Sequence, residues 1–122
     1  MTNTFEQDRD ALLTYAMRCK HLAELVPSLY DLLLRHPATL SQVTNTYRLQ
    51  TTDTAETYAF ALRQGVFKTL TDRDTVDVTV SGKEVNLLAV FQRTLNPVTA
   101  LLLHKIQLRG DKSALMRLAA YL

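Results

Sequence analysis

The clearest pattern of hydrophobic and polar positions lies in the second half of the chain. Val76, Val78 and Val80 alternate with Asp77 and Thr79. This period of two, carried by β-branched residues, predicts a strand with one buried face and one solvated face.

A helix is expected to follow this strand directly. Ser81 lies three residues before Glu84, the spacing of a capping box, in which each residue bonds a backbone N–H at the helix start. Apolar residues then recur at helical spacing as far as Leu95, so one helix is predicted from the cap to that residue.

Two shorter helices and a strand complete the predicted second half. Asn96 and Pro97 mark the cap and first position of a helix over residues 97–103. Alternation over residues 105–109 predicts a short strand, and Asp111 is placed to cap a final amphipathic helix. The predicted order is therefore strand, helix, helix, strand, helix.

Helical periodicity also dominates the beginning of the chain. Apolar residues recur every three or four positions over residues 5–26, which is typical of one long amphipathic helix. Pro27 is expected to break it, and Ser28 with Asp31 gives a weaker capping pattern for a short helix that Pro37 ends.

Strand-like alternation occupies the middle of the chain. Residues 43–50, 58–62 and 66–70 are separated by polar turns, which predicts three antiparallel strands. Together with the two later strands they make a five-stranded sheet. Because every helix lies before or after this meander, the fold class is α+β with the helices packed on one face.

Four segments carry a resemblance in their order and spacing: residues 76–80, 96–100, 105–111 and 114–118. They resemble the sterol carrier protein type 2 family of small lipid-binding domains. Members of that family hold a fatty acid, fatty acyl-CoA, sterol or phospholipid in an apolar tunnel between sheet and helices. The resemblance implies the same two-layer fold here, with a tunnel partly closed by the C-terminal helix.

Two positions depart from the pattern of that family. The family usually has a Gly where His104 stands, and usually a Gly near Arg93 or Thr94. Both departures fall at turns between elements, so they bear on the tightness of those turns and leave the order of elements unchanged.

Length and composition add the domain organisation. The 122 residues, 47% hydrophobic and 21% charged, suit one soluble domain over residues 1–122. Residues 1–37 would form its N-terminal helices and residues 40–122 its sheet and C-terminal helices. The net charge of +2 comes from scattered basic residues, which argues against a nucleic-acid partner.

The candidate chemistry is sparse. Cys19 is the single cysteine, and the histidines lack the spacing of metal ligands, so neither a metal site nor a cofactor is expected. Ser28, Ser81 and Asp111 are better explained as helix caps than as catalytic groups, and no Gly-x-Ser-x-Gly motif occurs. We therefore expect a protein that is not an enzyme.

Location follows from the absence of recognisable targeting signals. The N-terminal residues lack the order of a signal peptide, and no apolar run is long enough for a membrane span. We expect a cytoplasmic protein. The sequence leaves open whether it makes transient contact with a membrane and whether it forms a homodimer.

The predicted function is binding and carriage of an apolar lipid. The alternative is an interaction or dimerisation module that uses the same apolar face and assists an enzyme of lipid-like substrates. For any one apolar residue an ordinary core position is the competing interpretation. The predicted lipid-binding residues are Phe60, Leu62, Val78, Leu88, Phe91, Leu101, Leu102, Leu108, Leu115 and Met116.

Overall fold

The computed structural model describes residues 3–122 and contains five helices and five strands within them. In chain order these are α1 (Phe5–Ala16), α2 (Leu22–Arg35), β1 (Asn45–Thr51), β2 (Thr57–Arg63), β3 (Val66–Thr69), β4 (Val78–Gly82), α3 (Glu84–Phe91), α4 (Pro97–Leu102), β5 (Ile106–Gly110) and α5 (Lys112–Ala119).

All five strands form one sheet in the order β3-β2-β1-β4-β5. The meander β1-β2-β3 is antiparallel, as the sequence predicts, and β5 is antiparallel to β4. The central pair, β1 and β4, runs parallel, with Tyr47 opposite Val78 and Leu49 opposite Val80. The fold is α+β, which confirms the predicted class and strand number.

The helices cover the face of the sheet that carries its large apolar side chains. Tyr47, Phe60 and Val78 are buried there against Leu29 and Leu33 of α2. On the opposite face the long side chains of Arg48 and Lys68 flank the buried methyl groups of Ala59 and Ala61, their cross-strand neighbours.

The first helix ends earlier than predicted. The single helix expected over residues 5–26 is wrong, because α1 stops at Ala16 and α2 begins at Leu22. The Gln92 side-chain amide donates hydrogen bonds to the carbonyl oxygens of Ala16 and Cys19 at 2.9 and 3.1 Å. The Ala16 carbonyl oxygen also accepts a hydrogen bond from the Cys19 N–H at 3.1 Å, so Gln92, at the end of α3, adds further bonds to the turn that follows α1.

Pro27 lies inside α2 instead of ending a helix. The helix starts at its N-cap His21, whose backbone N–H donates to the Glu24 side chain at 3.1 Å. Ser28 is consequently in the middle of α2, and its predicted capping role is wrong. Because proline has no backbone N–H, Pro27 cannot donate the helical hydrogen bond of its position, and α2 continues past it as far as Arg35.

The predicted cap at Ser81 is also wrong. Ser81 is a strand residue of β4, paired with Gln50 on one side and Gln107 on the other. Helix α3 starts later, and its first N–H, from Glu84, donates to the Asp53 carboxylate at 2.9 Å. A side chain from the β1–β2 turn therefore does what the capping box was expected to do.

The predictions of α4, β5 and α5 in the second half of the chain are confirmed, and α3 is shorter than predicted. Asn96 accepts hydrogen bonds from two N–H groups of α4, and Asp111 does the same for α5. Helix α3 ends at Phe91 and does not reach Leu95. The chain leaves α3 and α4 through Arg93 and His104, which have φ of 58° and 57°. The two turns are thus tight even with side chains at these positions.

A half-buried carboxylate joins α1 to the end of α2. Asp8 accepts hydrogen bonds from His36 Nε2 at 2.6 Å and from Asn3 Nδ2 at 3.1 Å, and Arg35 lies 3.7 Å away. The hydrogen bond from His36, followed by that from Asn3, lowers the pKa of Asp8. Stability from this group is therefore complete above the ordinary pKa of about 3.9 and is lost as the pH falls through the lowered pKa of the folded state.

The contact between Asp8 and His36 can be tested by substitution of the carboxylate. Asp8→Asn is expected to lower the melting temperature at neutral pH, and its difference from the wild type should shrink in acid, where Asp8 of the wild type is protonated. Thermal unfolding across an acidic pH series measures this. Asp10→Asn, on the exposed side of the same helix, is the control. An equal deficit at every pH would contradict the assignment.

Candidate functional site

A cavity of about 500 Å³ lies between the sheet and the helices. Its floor is a regular array of strand side chains, because residues in register across strands β1, β2 and β4 point to the same face. Phe60, Tyr47 and Val78 form one row, and Leu49 with Val80 begins the next. The floor residues, from β1, β2, β4 and β5, are Tyr47, Leu49, Phe60, Val78, Val80 and Ile106.

The walls come from helices α1 to α5 and from the segment that connects α3 to α4. Helix α1 contributes one face, α3 a second, and α5 with the residue that ends the chain closes the third side. The wall residues are Leu12, Leu13, Ala16, Leu29, Leu87, Val90, Phe91, Leu95, Pro97, Leu115, Met116, Leu118, Ala119 and Leu122. Since these side chains are apolar, the cavity suits an uncharged guest over most of its length.

Tyr47 fixes the closing helix to the floor. Its hydroxyl donates to the Ala114 carbonyl oxygen of α5 at 2.9 Å, and its ring stacks on Phe60 with centroids 5.3 Å apart. Burial raises the pKa of Tyr47 to about 12, so the phenol stays neutral and acts as a hydrogen-bond donor.

Polar groups lie at the margins of the cavity. Asn96 is occupied in capping α4. Arg48 borders the cavity from β1, but its side chain lies on the opposite face of the sheet, where the guanidinium donates to backbone carbonyl oxygens of the loop at residues 71–74. Arg9, Arg93 and Thr94 complete the polar lining. Within the described part of the chain, no Asp or Glu lines the cavity.

Five of the ten predicted lipid-binding residues line the cavity. They are Phe60, Val78, Phe91, Leu115 and Met116. They come from β2, β4, α3 and α5, so the fold brings together side chains that are far apart in sequence.

The structure places the other five predicted residues elsewhere. Leu62 and Leu88 are buried in the packed core beside the cavity. Leu101 and Leu108 border a separate depression of about 450 Å³ near His104. Leu102 is 74% exposed on the outer side of α4. Their assignment to lipid binding stays a prediction without support from the cavity geometry.

Sequence reasoning missed the contribution of α1. Leu12 and Ala16 lie on its apolar stripe, which periodicity does reveal, but an apolar stripe is equally typical of a filled core. Tyr47, Leu49 and Val80 were visible as inward positions of strands. Nothing in the pattern distinguishes a position that lines a cavity from one that fills a core.

The described residues contain no cluster of three or more His, Cys, Asp or Glu side chains that could hold a metal ion. None of the helices formed by residues 3–122 is both long enough and apolar enough to cross a membrane.

Comparison with known protein families gives one match, covering residues 37–122, to the alkyl sulfatase C-terminal domain. No curated protein sequence matches the chain. The matched segment contains all five strands and α3, α4 and α5, whereas α1 and α2 precede it.

Solved structures with the same fold fall into two groups. The stereoselective inverting sec-alkylsulfatase Pisa1 from Pseudomonas sp. aligns with a TM-score of 0.66 and 24% identity over 78% of this chain. The chain spans only 16% of the length of that enzyme. The sterol carrier protein 2-like 2 of Aedes aegypti aligns with a TM-score of 0.56 and 21% identity over 96% of this chain and 94% of its own.

A third structure, the UbiJ-SCP2 ubiquinone synthesis protein, aligns with a TM-score of 0.61 and 14% identity over 79% of this chain and 84% of its own. At these identities the likeness establishes the fold. The chain has a sterol carrier protein type 2-like fold, which confirms the resemblance that the four sequence segments carry.

Proposed function

The chain belongs to the alkyl sulfatase C-terminal domain family, and from this premise we propose that it binds the alkyl chain of a lipid-like molecule without catalysing a reaction. The single observation that carries the proposal is the cavity of about 500 Å³, lined by apolar side chains between the sheet and the helices. Ligand pockets for small molecules typically measure about 300–1,000 Å³ and are mostly apolar.

Binding of an alkyl chain in this cavity needs no charged or catalytic group. Burial of an alkyl chain gains about 0.8 kcal/mol for each methylene, so a chain of about twelve carbons gains on the order of 10 kcal/mol before the costs of ordering. Fatty acids, fatty acyl-CoA, sterols and phospholipids all offer such apolar surface. Met116 is suited to guests of varied shape because its unbranched thioether side chain adapts easily.

We further propose that residues 1–122 act as one binding domain. The family match begins at residue 37, but Leu12, Leu13 and Ala16 of α1 line the same cavity as the matched residues. We propose that this domain is an accessory part of an enzyme that acts on lipid-like substrates. This role agrees both with lipid binding and with the family match. A cytoplasmic location also stays a prediction.

The experiment that tests this function is native mass spectrometry of the purified protein, followed by solvent extraction. The expected result is a lipid or fatty acid bound at close to one molecule per chain, identified after release. A protein that purifies without a ligand and also fails to bind a fluorescent fatty acid would contradict the proposal.

A second candidate is an interaction module, favoured by the exposed apolar residues of α4 and its surroundings. Val98 and Leu102 lie four residues apart on α4, with Leu103 directly after it, and each of the three is more than half exposed. A second copy of the chain is the simplest occupant of this surface. A stable dimer in light scattering, with no extractable lipid, would favour this function over lipid binding.

A further inference from the structure

The sheet ends at β5, on an edge that no other strand of the described residues covers. Strand β5 is the last in the order and pairs with β4 alone. Asp111, which follows it, donates its backbone N–H to the Asp77 carbonyl oxygen at 2.8 Å. In an antiparallel pair, residues that bond to the neighbouring strand alternate with residues whose N–H and C=O groups point away from it. Leu108 and Gly110 therefore direct these groups to the open edge.

The outward backbone groups of β5 are available to a partner. None of the backbone hydrogen bonds that residues 3–122 make outside their helices and strands involves Leu108 or Gly110. Gly110 is exposed and Leu108 is half-buried, so another chain can reach both. Such an edge is a template on which an extended peptide adds as a further strand, held by main-chain hydrogen bonds.

The depression of about 450 Å³ near His104 lies along this edge. Leu101 of α4 and Leu108 of β5 provide its larger apolar side chains, and Gln107 and Arg109 also line it. Residues that lie opposite each other on paired strands share a face of the sheet. Every second side chain of an added strand would therefore lie beside Leu108, where the depression offers space to small apolar groups.

The charges around the edge are positive. Arg109 and Lys112 line the depression, Lys105 directly precedes β5, and all three are exposed. None of the ion pairs between described residues includes these three cations, and no described Asp or Glu lines the depression. Asp111 caps α5 and lies 3.7 Å from Arg117. Acidic side chains on an added strand would find complementary charge, whereas the cations disfavour pairing with a second copy of the same edge.

We infer that the open edge of β5 binds an extended acidic segment of a partner protein as a further strand of the sheet. The segment adds antiparallel, the more stable arrangement for strand pairs. Its small apolar residues lie beside Leu101 and Leu108, and its Asp or Glu residues alternate with them and lie beside Arg109. This inference goes beyond lipid binding and does not depend on it.

The test uses a fluorescein-labelled synthetic peptide in which glutamate and valine alternate, and fluorescence polarisation measures its affinity. Two isomeric peptides carry the same number of backbone N-methyl groups, one on its valines and the other on its glutamates. In antiparallel addition the valines lie opposite Leu108 and Gly110 and bond to β5, whereas the N–H groups of the glutamates point away. Only methylation of the valines therefore removes donors that β5 uses.

Two variants of the protein test the charge recognition. Arg109→Glu reverses the charge beside the glutamates, and Arg63→Glu makes the same change at an exposed position of β2, outside the depression. We expect a loss of at least roughly tenfold on valine methylation and of roughly fivefold to thirtyfold in Arg109→Glu. Glutamate methylation and Arg63→Glu should leave the affinity nearly unchanged. Thermal unfolding of each variant verifies the fold.

Amide hydrogen exchange monitors the same contact at the backbone of the wild type. In the free protein the N–H groups of Gln107 and Arg109, which face β4, should exchange slowly, and those of Leu108 and Gly110 should exchange fast. Saturation with the peptide should slow the exchange of Leu108 and Gly110.

Three outcomes would overturn the inference. Absence of binding, or no difference between the two methylated isomers, would refute strand addition. Slow exchange of Leu108 and Gly110 in the protein without peptide, as in a dimer through this edge, would mean that the edge is already occupied. Equal losses in Arg109→Glu and Arg63→Glu would assign the effect to net charge and refute recognition by this edge.

Discussion

Val80→Trp is expected to weaken binding of a lipid probe at least about a hundredfold, which corresponds to about 2.7 kcal/mol. Val80 lies on the cavity floor, 7% exposed, with Leu49 and Leu108 opposite it on the neighbouring strands. The indole would occupy space that the alkyl chain needs. Because the ring enters an existing cavity, the usual cost of overpacking should be small and the fold should persist.

The design has an internal reporter and a matched control. The natural sequence has no Trp, so the new residue is the only source of indole fluorescence. Thr79→Trp places the same side chain on the opposite face of the same strand, where it should leave binding unchanged. Fluorescent fatty-acid displacement measures the affinity. Undiminished binding by a folded Val80→Trp protein would show that the ligand does not use this cavity.

Gly65→Ala is expected to destabilise the fold by about 3 kcal/mol or more. Gly65 has φ of +84° in the two-residue turn between β2 and β3, and a Cβ there would lie 2.1 Å from the Pro37 carbonyl oxygen. Its other near neighbours are backbone atoms of Leu40 and Ser41, which cannot move aside as a flexible side chain would.

Urea unfolding measures this effect. The control is Gln64→Gly, which changes the adjacent turn residue, whose φ is 50°. Glycine relieves the left-handed backbone there, so this variant should equal or exceed the wild type in stability. A Gly65→Ala protein as stable as the wild type would mean that the loop at residues 37–41 packs differently against the turn.

Local chemistry accounts for the parts of the fold that the sequence predicts well. Asn96 and Asp111 cap their own helices through side-chain bonds to residues two and three positions later. Such contacts depend on a few neighbouring residues and survive in any tertiary setting. The alternation in β4 likewise follows directly from one buried face, whereas β2 places its large side chains on one buried face and the small Ala59 and Ala61 on the other.

Contacts with side chains that are distant in sequence account for the wrong predictions of where helices begin and end. Gln92 binds the turn after α1 from a position 76 residues away from Ala16, and Asp53, in the turn between β1 and β2, accepts a hydrogen bond from the first N–H of α3. Neither contact leaves a local signal at the element that it affects. The capping pattern at Ser81 failed because its backbone already pairs with strands on both sides.

The candidate site was only half predictable for a related reason. Periodicity identifies inward side chains such as Phe60 and Leu62, but whether an inward side chain meets a neighbour or an opening depends on how far the helices stand from the sheet. The exposed Leu102 shows the converse, because an apolar residue on a short helix need not face the core.

The parallel pairing of β1 with β4 has a consequence for the order of folding. The hairpins of the meander close over a few residues, but Tyr47 meets Val78 only after an intervening chain of thirty residues has been arranged. Loop-closure entropy makes such contacts slow to form, so the transition state for folding is expected to contain the β1-β2-β3 meander before β4 joins it. The apolar cavity, whose floor needs both central strands, would then be among the last features of the molecule to form.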